Sequence, residues 1–366
     1  MQKALRDGDT LARFGGDEFV AVLVELEHQQ DSEPILRRIL HAAAEPVMVD
    51  GMEFQLSASI GVSLYPQDNV DADLLIRHAD KAMYTAKKSG KNRFHYFNVQ
   101  EEIRDNEILA MVAEISRALS EHEFRLYIQP KLNLNSVTIV GAEALIRWVH
   151  PDRGMIQPLD FLPFIENEDI AVDLGEWVIR DSLRILDEWG RQGLQLPLSV
   201  NVSAHQFNKS NFQERLAAIL NEFPQVEPQQ LEIEIVESVA LNDLSRVCLV
   251  IADCKALGVK FSLDDFGTGY SSLTYLKQLS IDTLKIDQSF IQNMREDKSD
   301  LAIVGGVIGL AKAFNCTTVA EGVETWEHSS GLKNMGCEIA QGYVIARPMP
   351  AEEIPDWITK FKMPLI

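Results

Sequence analysis

Eight short apolar runs from residue 124 onward each end in a charged or amide residue: Gln129, Glu143, Asn201, Glu234, the Asp264–Asp265 pair, Lys285, Glu321 and Gln341. The runs fall at 124–129, 138–145, 196–202, 231–236, 259–264, 282–287, 316–321 and 337–343, with helical segments between them at 171–190, 212–222, 244–257 and 300–313. Strands spaced by helices predict a barrel of parallel strands, whose C-terminal ends share one mouth. Only a short polar loop, Asn133 to Ser136, joins the first two runs. That is a hairpin length, so the α/β fold expected is a TIM-like (β/α)8 barrel with one antiparallel strand. A mouth so rich in acids, with one lysine, is the chemistry of a divalent-metal phosphoesterase.

Alternation sharpens this reading. Glu232, Glu234 and Val236 share one face of their run, and Ile233 and Ile235 share the other. Acids on a strand face that a barrel buries need solvation or a metal to offset their desolvation. The formal charge of −21 lacks the basic footprint that a nucleic-acid polymer requires. It does not exclude a small anionic ligand, because metal cations can sit between acids and a phosphodiester.

The chain of 366 residues has room for two domains. No apolar run approaches the roughly 18 residues that span a bilayer, and no signal-peptide pattern opens the chain, so a cytoplasmic protein is expected. Cys248, Cys254, Cys316 and Cys337 lack metal-site spacing and read as free buried thiols. His150, His205 and His328 read as surface or packing residues.

Ahead of the barrel, residues 19–26 and 54–62 read as strands, and 32–44 and 71–89 as helices, the second closed by Gly90. Roughly ten residues precede the first motif, fewer than a complete α/β domain needs, so a truncated domain is expected. Residues 99–122 read as a connecting helix with one apolar face: Ile103, Ile108, Val112, Ile115 and Leu119. The division expected is 1–98, 99–122 and 123–366.

Seven motifs follow in order: EALIRW (143–148), NVS (201–203), EIVES (234–238), DDFGTGYSSL (264–273), LKID (284–287), AEGVET (320–325) and QGY (341–343). With them the chain from about Phe124 onward resembles the EAL domain, the family of cyclic di-GMP phosphodiesterases. The resemblance implies hydrolysis of cyclic di-GMP to linear pGpG with two Mg²⁺ or Mn²⁺ ions. Glu143, Asn201, Glu234 and Asp264 would hold one ion, and Asp264, Asp265 and Glu321 the other. Lys285 would orient the attacking water, Arg147 would clamp a phosphate, and Gln129 and Gln341 would complete the substrate site. Glu237 would tether the loop after Asp265. The resemblance further implies a homodimer through the barrel, with the loop from Asp265 to Ser272 linking interface and metal site. A non-catalytic cyclic di-GMP receptor is the alternative, but the intact set Glu143, Asp264, Asp265, Lys285 and Glu321 favours the enzyme.

Gly15, Gly16, Asp17, Glu18 and Phe19, after Arg13, suit a hairpin that brings backbone and acids to a nucleotide. With SASIGVSLYP (57–66) and ADKAMYTAKKSGKNR (79–93), this segment resembles the C-terminal half of a GGDEF domain, which makes cyclic di-GMP from GTP. Arg6 and Asp9 have the RxxD form of that family's inhibitory site, and equally that of a plain charged turn. The family's preceding strand and helices, with an aspartate that shares metal with Asp17, are absent. No cyclase activity is therefore expected, and GTP enters only as a regulatory ligand of this segment.

Overall fold

The computed structural model describes residues 1–68, 70–240, 243–267 and 273–362. The chain divides into two compact units, Met1–Glu107 and Ile108–Ile366.

The larger unit is a closed barrel of eight strands: β1 (Phe124–Asn133), β2 (Thr138–His150), β3 (Leu198–Val202), β4 (Leu231–Val236), β5 (Lys260–Phe266), β6 (Thr283–Ile286), β7 (Thr317–Ala320) and β8 (Ile339–Ala340). Neighbours from β2 to β8 pair in parallel. β1 closes the ring antiparallel to both β2 and β8, as the short hairpin predicts. Two short strands, Gly154–Ile156 and Met349–Pro350, extend the sheet beside β2 and β1.

Strand alternation separates core from interior. Val200, Ile233, Ile235, Phe261, Leu263, Leu284 and Ile286 are buried in the apolar core with the surrounding helices. The helix Asp169–Arg191 contributes Val172, Val178, Ile179, Leu183, Leu186 and Trp189, an i, i+3, i+4 stripe. Helix starts are fixed by side-chain caps: Asp243 accepts from Arg246 N, Asp297 from Ser299 N, and Thr325 from His328 N. The first two of these helices, Leu244–Ala256 and Lys298–Phe314, begin and end near the expected 244–257 and 300–313 because caps and periodicity agree.

Two strands depart from expectation in ways that matter for the site. β1 does not stop at 129. It continues through Pro130 to Asn133 because Pro130 keeps its register opposite Ala142, and the ladder shifts only between Lys131 and Leu132. β8 shrinks from the expected 337–343 to two residues, since Gly342 turns the chain against the Val323 backbone.

The smaller unit holds the hairpin Thr10–Gly15/Glu18–Val22, the helices Glu33–Ala44 and Ala72–Lys88, and a parallel pair, Ile60–Val62 with Phe94–Tyr96. The expected strand at 54–62 is two pieces: Met52–Phe54 pairs with Val47–Val49, and only Ile60–Val62 joins the parallel pair. Residues 55–59 have no ladder partner and so form no strand. Gly61 is where the helix Ala72–Lys88 crosses its strand, and a Cβ there would lie 1.8 Å from the Ala79 carbonyl oxygen.

The helix Val99–Ser120 spans the boundary between the units. Ile115 and Ala118 are buried in the barrel unit's core, with Met111, Val112 and Leu119 packed against it. Ile103 is 47% exposed, so the apolar face expected along the whole helix is buried only in its C-terminal half. No helix among the described residues is long and apolar enough to cross a membrane.

Candidate active site

One cleft of about 260 Å³ gathers Asn201, Asp264, Glu321 and Gln341 from the ends of parallel strands, and Gln129 and Glu143 from within β1 and β2. Lys285 stands in the middle of the acids. Its Nζ lies 2.5 Å from Glu234 Oε2, 2.6 Å from Glu321 Oε1, 3.0 Å from Asp264 Oδ2 and 3.8 Å from Glu143 Oε1. Residues spread over nearly 180 positions of sequence thus converge on one ammonium group.

The Asp264–Asp265 pair needs more than strand geometry. Successive residues of a strand point to opposite faces. Here the β5–β6 ladder slips between Leu263 and Phe266, and Asp265 adopts φ 55°. This bulge turns both carboxylates the same way, and oxygens of Asp264, Asp265 and Glu321 come within 4.8 Å of one another. Bulges next to active sites re-aim side chains in this manner.

The amides serve Glu143. Asn201 Nδ2 donates to its Oε1 at 2.7 Å, and Gln341 Nε2 donates to its Oε2 at 2.6 Å. Gln341 Nε2 also reaches Gln129 Oε1, and Gln129 Nε2 donates to the Ala346 carbonyl. At the mouth Gln341 therefore holds the Glu143 carboxylate directly, and Gln129 holds Gln341. Arg147 lies on the same strand face as Glu143 and Leu145, half-buried and over the Tyr127 ring. Burial lowers its pKa, and no carboxylate pairs with it among the described residues. Glu237 is buried directly after β4. Of the loop from Asp265 to Ser272, expected to link interface and metal site, residues 268–272 lie outside the described residues.

Electrostatics are set by crowding. Burial pushes the Glu321 carboxyl up to about 8, with Asp264 and Glu143 adding to it, although Lys285 is adjacent. One ammonium shared among four carboxylates cannot hold all of them ionised. Burial and the Asp264 charge push Asp265 up to about 6. Burial, then Glu234, raises Glu143. Burial alone would lower Lys285, but the Glu143, Glu234, Glu321 and Asp264 charges hold it well above its usual value. Burial alone would raise Glu234; Lys131 and Lys285 hold it well below the carboxylate range.

Lys131 is the residue that the strand ends do not disclose. It is 4% exposed inside the barrel and donates to Glu234 Oε1 at 2.8 Å. Its signal is alternation: Gln129 and Lys131 share a face once β1 is carried past Pro130.

The donor set suits hard divalent cations. Every candidate ligand atom is an oxygen, the acids outnumber the one central lysine, and Gln341 Oε1 is buried with no hydrogen-bond partner among the described residues. The histidines stand apart: His150 bonds Glu114 at 3.0 Å, His205 sits near Asp169, and His328 is buried in its helix. Burial raises Cys254 to about 12 and Cys337 to about 11, so these thiols are unreactive.

The EAL domain family model matches residues 112–348. The chain belongs to the EAL domain family. The model of the diguanylate cyclase GGDEF domain matches residues 1–93. The bifunctional diguanylate cyclase/cyclic di-GMP phosphodiesterase MucR of Pseudomonas aeruginosa is 37% identical over 96% of this chain and 51% of its own length. The cyclic di-GMP phosphodiesterase PdeR of Escherichia coli is 35% identical over 98% of this chain and 54% of its own length. The chain thus spans about half the length of the curated relatives it matches. Among solved structures, the PaMucR phosphodiesterase in complex with c-di-GMP superposes with a TM-score of 0.64 at 38% identity, covering 67% of this chain and 99% of that one.

In the GGDEF segment, Gly16 and Asp17 form the hairpin turn and Arg13 caps it by donating to the Gly16 carbonyl at 2.7 Å. Asp17, Glu18 and Phe19 are exposed. Asp9 accepts from Arg6 N at 2.9 Å and from Val24 N at 3.3 Å, so its carboxylate closes a turn.

Proposed function

We propose that the barrel hydrolyses cyclic di-GMP to linear pGpG with two divalent cations, Mg²⁺ or Mn²⁺. The observation that carries this reading is the convergence of Glu143, Glu234, Asp264 and Glu321 on Lys285 at the barrel mouth, with Asp265 turned in by the bulge. The similarity to the cyclic di-GMP phosphodiesterases MucR and PdeR and to PaMucR in complex with c-di-GMP supports the substrate.

Glu143, Asn201, Glu234 and Asp264 would hold one cation, and Asp264, Asp265 and Glu321 the other. When bound, such a pair supplies an activated water and neutralises charge developing on the phosphoryl group. The chain's own residues do the rest. Lys285 carries three N–H donors and stays protonated, so it orients the water and steadies phosphoryl oxygen without acting as a base. Arg147 binds phosphate oxygen with a guanidinium that no carboxylate among the described residues pairs with. Gln129, Gln341 and Asn201 keep Glu143 in one orientation. Water oxygen bonds to phosphorus as one ester P–O bond breaks, and the leaving sugar oxygen takes a proton.

The test is incubation with cyclic di-GMP in Mg²⁺, with products separated by chromatography and Glu143→Ala as control. Formation of pGpG by the native chain alone supports the reading. Binding of cyclic di-GMP without turnover in either protein would replace it with the receptor.

A further inference from the structure

The two oxygens of Glu234 have different owners. Oε2 faces the cluster of acids and meets Lys285. Oε1 faces away and is gripped by Lys131 at 2.8 Å. Lys131 is itself fixed: its Nζ donates to Ser199 Oγ at 2.7 Å and lies 3.8 Å from Glu232 Oε2, while Glu232 accepts from Thr283 Oγ1 at 2.6 Å. In β1, Gln129 pairs with Glu143 and Lys131 with Gly141, so Lys131 stands one layer below the mouth. The Glu234 side chain is fully buried and that of Lys131 nearly so, and parting them would leave two buried charges without this partner.

This arrangement bears on which cation the site accepts. Ca²⁺ takes six to eight oxygen ligands and commonly chelates both oxygens of a carboxylate, whereas Mg²⁺ demands a compact octahedron with one oxygen from each carboxylate. We infer that Lys131 is a positioning residue for cation specificity: by occupying Glu234 Oε1 it confines Glu234 to one-oxygen ligation and biases the site toward Mg²⁺ and Mn²⁺ over Ca²⁺. The inference rests on Glu234 being a metal ligand, as proposed above. It is also consistent with the charge balance. Glu143, Glu234, Asp264, Asp265 and Glu321 are neutralised by Lys285 and two divalent cations, and Lys131 and Glu232 cancel each other.

Removing Lys131 changes the attraction for every divalent cation, so absolute affinity is a poor readout. The ratio of Ca²⁺ to Mg²⁺ affinity cancels that general effect, because both ions carry the same charge. The experiment is competition of each ion against Mn²⁺, followed by electron paramagnetic resonance, on the native chain and on Lys131→Met. Lys131→Met frees Oε1, and the Ca²⁺/Mg²⁺ affinity ratio is expected to rise about tenfold or more. Lys131→Met leaves Glu232 and Glu234 with one partner fewer, so Lys131→Met/Glu232→Gln, which removes one charge of each sign, carries the same test in a better balanced interior. Ser199→Ala keeps the Lys131–Glu234 contact and is expected to hold the native ratio. A purely structural Lys131 would lower the melting temperature and leave the ratio alone. A ratio unchanged in both Lys131 variants overturns the inference while the proposed function stands. A native chain that binds no Mn²⁺ overturns both.

Discussion

Asp264 and Asp265 are adjacent in a strand yet present their carboxylates to the same site, because Asp265 sits at φ 55° in a bulge of β5. Asn tolerates the left-handed region and a β-branched residue does not. Asp265→Asn is therefore expected to keep the fold and lose turnover by about 10²–10³. Asp265→Val is expected to lose the same activity and about 1–2 kcal/mol of stability as well. Turnover and melting curves on the pair separate the two effects; equal melting temperatures would contradict the strain.

Cation binding at Glu321 and Asp265, as proposed, would be proton-linked. Their folded-state pKa values, about 8 and about 6, lie above the ordinary carboxyl range. A raised carboxyl pKa means that the metal-free folded state binds more protons than the unfolded chain. Its stabilising contribution is therefore greatest at low pH and is lost as pH rises from the usual range through these values. Divalent cations must displace the protons, so Mn²⁺ affinity is expected to climb between pH 6 and pH 8 with measurable proton release. Calorimetry in buffers of different ionisation enthalpy reads this directly. Binding that is flat across the window would contradict it.

Gly342 fixes how closely the Gln341 and Glu321 loops approach. A Cβ there would lie 2.2 Å from the Val323 carbonyl oxygen, and backbone cannot yield as a side chain does. Gly342→Ala is expected to cost about 1–3 kcal/mol and to depress turnover by displacing Gln341 from Glu143. A variant with native melting temperature and native rate would show that the loops are not held there.

Away from the site, Glu123 accepts from Trp148 Nε1 at 2.8 Å and from Arg117 at 2.5 Å, joining the end of the long helix to β2. Glu123→Ala strands a buried indole donor, which costs about 1–3 kcal/mol. The barrel's melting temperature is expected to fall by roughly 2–4 °C for each kcal/mol. No change in melting would remove this anchor from the account.

The GGDEF segment is expected to make no cyclic di-GMP from GTP. Asp17 and Glu18 are exposed at their hairpin. Chromatography of a GTP incubation with a phosphodiesterase-dead variant checks this, and cyclic di-GMP as product would contradict it.

The barrel was legible because strand ends carry most of its chemistry: Asn201, Glu234, Lys285 and Glu321 each lie at or near the end of an apolar run, Glu143 stands within β2, and the mouth collects them. Lys131 escaped because the expected run stops at 129, whereas the ladder absorbs Pro130 and slips only between Lys131 and Leu132. The common aim of Asp264 and Asp265 was hidden for a different reason, since alternation assigns them opposite faces and only a bulge overrides it. Gln129 and Gln341 were found, but their bonds to each other and to Glu143 depend on three-dimensional closure of the ring that sequence spacing does not encode. Ile103 reads as buried because helical periodicity runs on where the packing partner stops.

The most direct test is to measure Mn²⁺ stoichiometry and cyclic di-GMP turnover on the same samples of the native chain and Asp264→Asn, the carboxylate assigned to both cations. The account predicts two ions per chain and pGpG formation for the native protein, with both lost in the variant. Native-rate hydrolysis by Asp264→Asn, or by the native chain in excess chelator, would contradict it.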